Sequence, residues 1–127
     1  THDQSSAASD VYKRQVFQYD GVLQQVYADG SHELLVYDDG SIVWLDDGTT
    51  IVEGKLGGPV QHAFWNVREN AWRVAGWREE LLLSTRGVER ISMEEIPVHI
   101  MWKEQRAILL LNNGKWIESA FDPLTSE

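Results

Sequence analysis

The chain has 127 residues, of which 43% are hydrophobic and none is cysteine, and it carries a net charge of −9. That is enough apolar material for one packed domain, and the lack of thiols excludes disulfides and thiolate metal sites. No apolar run approaches the roughly 18 residues of a membrane helix.

From the N-terminus, residues 5–15 read Ser-Ser-Ala-Ala-Ser-Asp-Val-Tyr-Lys-Arg-Gln. This string resembles the in-frame translation of a transposon adapter used to prepare sequencing libraries. Residues 1–15 are therefore expected to be a non-native leader, and the chain to come from a metagenomic assembly. Residues 16–127 read as a single β-rich domain, an acidic meander over 16–54 followed by a Trp-rich half over 60–121.

The meander is marked by Asp20-Gly21, Asp29-Gly30, Asp39-Gly40 and Asp47-Gly48, with runs of Val, Ile, Leu, Tyr and Trp between them. Asp-Gly between such runs is a hairpin signal, because a type I′ turn needs positive φ at both central residues. Four two-residue turns would set Tyr27 opposite His32, Leu34 opposite Leu45, Val36 opposite Val43, and Val43 opposite Val52. One face would then gather Leu23, Leu34, Val36, Val43, Leu45 and Val52 as core. The other would carry Phe17, Tyr19, Val26, Leu35, Tyr37, Ile42, Trp44 and Ile51, an aromatic face that the second half of the chain is expected to cover. The strings Tyr27–Ser31 and Tyr37–Ser41, both Tyr-x-Asp-Gly-Ser, resemble the glycine-rich repeats of the C-terminal sheet domain of centriolar scaffold proteins. They are also similar to the tyrosine-aspartate repeats of bacterial toxin shells. Either resemblance implies stacked hairpins over residues 19–53 and says nothing of the second half.

Glu53 to Pro59 is a breaker cluster and reads as a loop. Residues 60–67 and 71–77 read as a hairpin around Arg68-Glu69-Asn70, and 80–85 with 88–92 as another. A short helix near 77–84 or 92–96 is the alternative, which would make the fold α+β; Ser92 to Glu95 has capping-box spacing. Residues 98–102 and 106–111 read as strands, and Asn113-Gly114 turns the chain into 115–120. The expected architecture is all-β, closed into a sandwich or barrel.

Charge is divided unevenly. Residues 16–54 hold eight acids and no Lys or Arg, whereas 55–127 hold ten acids and nine bases. Such a first half disfavours phosphate backbones and so nucleic acid, and it attracts a basic protein surface. Alternating turns place Asp38 and Asp39 at one end of the sheet and Asp46 and Asp47 at the other. The histidines His32, His62 and His99 lack the spacing of a metal site, and no nucleophile, carboxylate pair or phosphate loop stands out. Neither metal nor cofactor is expected, nor enzymatic activity.

The preferred reading is a non-enzymatic module that binds a basic protein or itself, in keeping with a phage or bacterial structural or host-interaction protein. Its candidate contacts are Asp38, Asp39, Asp46, Asp47, Tyr37, Trp44 and Trp77. A carbohydrate-binding module that stacks sugars on exposed Trp or Tyr is the alternative, with Trp65, Trp77 and Trp116 as open rings if the aromatic face is covered. An acidic mimic of nucleic acid is the third, disfavoured because its acids are split between two rims.

Overall fold

The computed structural model describes residues 21–121. They form the strands β1 (Leu23–Asp29), β2 (His32–Tyr37), β3 (Ser41–Asp46), β4 (Thr49–Lys55), β5 (His62–Asn66), β6 (Ala71–Ala75), β7 (Glu79–Ser84), β8 (Gly87–Ser92), β9 (Pro97–Lys103), β10 (Arg106–Leu111) and β11 (Trp116–Glu118). No helix occurs among the described residues: 77–84 holds β7, and 92–96 is the bend from β8 into β9. The adapter-like leader, Phe17, Tyr19 and Asp20 lie outside the described residues.

Each sheet is an antiparallel meander of consecutive strands: β1 to β4, β5 to β8, and β9 to β11. The expected all-β fold is present and sandwich-like. It is not a closed barrel. The first sheet packs Leu34, Val36, Ile42, Trp44 and Val52 against Trp65, Trp72, Val74, Leu81 and Leu83 of the second. On its other side the second sheet places Phe64 and Ala75 against Ile100, Ala107 and Leu109 of the third.

The turns decide which side chains share a face, and here the sequence expectation needs correction. Asp47-Gly48 is the two-residue turn expected, with φ of 52° and 83°. The Asp39-Gly40 turn has one residue more, since Val36 pairs with Ile42 and Leu34 with Trp44. Asp38-Asp39-Gly40 is a three-residue connection with its last residue left-handed at φ 93°, a common hairpin alternative. One extra residue turns β3 over relative to β2. Ile42 and Trp44 therefore join Leu34 and Val36, while Val43 and Leu45 join Leu35 and Tyr37 on the opposite face. A bulge between Trp44 and Leu45 then brings Val52 opposite Trp44. At Asp29-Gly30 the reversal is displaced, so that Asp29 pairs with His32 and Tyr27 with Leu34. That is a two-residue shift, which preserves faces, but a bulge between Leu23 and Gln25 moves Leu23 across to Tyr37. Leu34 and Val43 are both fully buried, on opposite faces of the sheet.

The second sheet is closed on both sides, and every residue of β6 and β7 is buried. Three of these are charged, and two of them, Arg73 and Glu80, satisfy each other. Arg73 Nη1 donates to Glu80 Oε2 at 3.2 Å, while Nε and Nη2 donate to the two oxygens of Glu69 at 2.8 and 2.6 Å. Ser119, just beyond β11, donates to Glu80 at 2.5 Å and accepts from Arg73 at 3.0 Å, so the network ties the third sheet to the second. Phe121 lies under the guanidinium, 5.6 Å from carbon to ring centre. Burial pushes the Glu80 carboxyl up, against the lowering effect of Ser119 and Arg73.

Removing one partner from such a network leaves buried charge uncompensated. Arg73→Met is expected to cost about 3–5 kcal/mol, seen as a lower denaturant midpoint at unchanged slope. Glu80→Gln, which keeps the shape and an acceptor oxygen, should lower the midpoint far less.

Candidate functional site

The β2–β3 turn and the Gly57–Pro59 loop face each other across a cleft of about 250 Å³ lined by Tyr37, Asp38, Asp39, Leu56 and Val60, among others. The turn is held by its own carboxylates. Asp38 Oδ1 accepts from the Val22 amide at 2.8 Å, and Asp39 Oδ1 from the Ser41 amide at 2.9 Å. The Ser41 hydrogen bond, helped by the Lys55 charge, holds the Asp39 carboxyl below its usual range, so it is ionised at neutral pH. Lys55 Nζ is 3.7 Å from Asp39 Oδ2 on an exposed side chain, a weak pairing. Burial, with the Asp39 charge behind it, pushes the Tyr37 phenol up to about 12.

The opposing loop is fixed from behind. Gly57 donates its amide to Glu79 Oε2 at 3.0 Å, and Glu79 pairs with Arg90 Nε at 3.3 Å. Arg90 also donates to the Lys55 carbonyl. The two walls meet at Gly40, where the Leu56 amide donates to the Gly40 carbonyl at 2.8 Å. A Cβ at Gly40 would lie 2.6 Å from the Leu56 carbonyl oxygen, so only glycine permits this closure.

Of the seven residues singled out in the sequence, this cleft unites Tyr37, Asp38 and Asp39. Trp77 backs the loop: a Cβ on Gly58 would fall 2.6 Å from Trp77 Cβ, and its side chain is 47% exposed. Asp46 and Asp47 sit at the far end of the sheet, where Asp46 accepts from Ser31 Oγ at 2.7 Å. Trp44 is not a surface ring. It is buried, donates to His32 Nδ1 at 3.4 Å, and lies 5.2 Å from Trp65, which stacks on His32 at 3.8 Å. Tyr37 is buried too and borders the cleft without offering a ring face to solvent. Both were expected on one aromatic face; they lie instead on opposite faces of the first sheet, each buried, so the open Trp rings among the described residues are Trp77 and Trp116, while Trp65 is buried.

A second cluster joins all three sheets. The His62 and His99 rings lie 4.2 Å apart, and Tyr27 meets His62 edge-on at 6.1 Å. Burial, and then the proximity of His99, lower the His62 pKa. Among the described residues no group of three or more His, Asp or Glu side chains converges here or elsewhere.

Sequence reasoning missed Lys103 and Arg106. They stand directly opposite one another beside the exposed Trp116. The signal was the two-residue spacer Glu104-Gln105 between two strands, which forces its flanking residues to face each other. No protein-family model matches the chain, and no curated protein matches it.

The His62 shift sets a pH dependence. The folded chain favours neutral His62, so the unfolded chain binds the proton more readily, and stability rises with pH across that window. This contribution is complete above about pH 6.5 and is lost as pH falls through the lower folded-state value. Urea midpoints measured from pH 8 to pH 5 should fall on the acid side, and His62→Gln should flatten that fall.

Proposed function

We propose that this chain is a non-enzymatic interaction module whose acidic cleft takes a cationic side chain from a basic partner protein. The observation that carries this reading is the convergence of Asp38 and Asp39 on one cleft whose opposite wall is hydrogen-bonded to Glu79. Carboxylates held by backbone amides are already oriented, so little ordering accompanies capture of a lysine or arginine. Lys55 is the one cation within ion-pair distance of Asp39 among the described residues, and its exposure leaves it easily displaced. The net charge of −9 steers a basic partner toward the chain from a distance. Mimicry of nucleic acid is less well supported, because Asp46 and Asp47 stand at the opposite end of the sheet and leave no continuous negative stripe.

Tetralysine is a suitable probe, with binding followed by titration calorimetry. Association is expected to weaken from low to physiological salt. Asp38→Asn with Asp39→Asn should weaken it about tenfold, since asparagine keeps the oxygens that Val22 and Ser41 use. Asp46→Asn with Asp47→Asn should leave it nearly unchanged. Equal losses from both pairs would mean diffuse attraction to charge and would defeat the proposal, as would the absence of binding.

A further inference from the structure

The face of the third sheet turned away from the second holds another cleft, of about 490 Å³. Met101, Ile108 and Trp116 make its apolar floor, and Lys103, Glu104, Arg106 and Glu118 its charged margin. Three features coincide here. Lys103 and Arg106 are register partners, and like charges directly opposite on neighbouring strands destabilise a sheet. Neither forms an ion pair among the described residues, although the chain is strongly acidic. The turn that sets them opposite is strained, with Glu104 at φ 51° and Gln105 at φ 70°, both left-handed and neither glycine. Trp116 is 52% exposed and Met101 36%. Strain, uncompensated charge and an open aromatic ring gathered on one concavity are the marks of a binding site.

The lining narrows the ligand. Two cations without an ion-pair partner among the described residues call for an anionic group, as guanidinium and ammonium bind carboxylates with strong charge-assisted hydrogen bonds. Glu104 and Glu118 are acceptors and would repel a ligand whose every polar group was an anionic acceptor. They suit one that also carries hydroxyl donors. Trp116 offers a flat apolar ring for a similarly flat apolar surface. The Lys103–Arg106 pair and the Leu110–Trp116 pair lie four residues apart along β10, about 13 Å at the rise of an antiparallel strand, so the ligand is longer than one ring.

We infer that this cleft binds an acidic oligosaccharide built from uronic acid units. A carboxylate sits between Lys103 and Arg106, hydroxyls donate to Glu104 and Glu118, and a sugar ring stacks on Trp116. The site is separate from the acidic cleft at the β2–β3 turn and stands whether or not that cleft binds a partner.

A galacturonic acid trimer, titrated at physiological salt to screen the net charge, is the test, with calorimetry and tryptophan emission as readouts. Saturable binding is expected, at least about tenfold tighter than that of a glucose trimer. Lys103→Gln with Arg106→Gln should weaken it about tenfold while relieving the like-charge pair, so this variant stays folded. Trp116→Ala should abolish both the heat and the emission change. The inference is overturned if the acidic trimer does not bind saturably, if the neutral trimer binds equally well, or if either variant binds unchanged.

Discussion

The structure depends on a sheet whose two central strands have no solvent face. Because β6 and β7 are buried along their whole length, the second sheet must be covered on both sides, and the first and third sheets are its covers. The side facing the first sheet is filled with Trp65, Trp72, Val74, Leu81 and Leu83. The side facing the third has smaller apolar groups and must also house Arg73 and Glu80. A buried ion pair is tolerable when its remaining donors and acceptors are satisfied, and Glu69 and Ser119 do this from outside the strands. The same constraint explains how β7 can begin with two glutamates: Glu79 turns toward the Gly57 amide and Arg90, and Glu80 toward Arg73.

Much of this was legible in the chain. Strand positions follow from runs of β-branched and aromatic residues between turn residues, and the hairpins of the second half lie where those runs lie. Face assignment was less legible, because it hangs on a single residue. Asp38-Asp39-Gly40 and Asp46-Asp47-Gly48 look alike, yet the first makes a three-residue turn and the second a two-residue turn. The difference comes from tertiary closure: the Leu56 amide bonds to Gly40, and the Val22 amide to Asp38. Neither partner is local, so no reading of the turn alone could find them.

The site was legible in part for the same reason. Acidic turns were visible, and their division between two ends follows from alternation of hairpins. That one end faces a glycine loop and the other does not required the position of residues 57–59, which Glu79 sets from another sheet. Aromatic residues misled because alternation counts only along a correctly registered strand; once β3 turned over, Trp44 became core. The strand starts Leu23, His62 and Pro97 also recur at a spacing of roughly 37 residues, the span of one supersecondary unit in a stacked array.

The meander order has a kinetic meaning. Every strand bonds to the strand before or after it in the chain, so each pairing closes only a short loop and each sheet assembles from local steps. Long-range ordering is confined to docking one finished layer on the next. The cross-links of Arg73 to Ser119 and of the His62 and His99 rings join one layer to another, so they close the long loops that strand pairing leaves open.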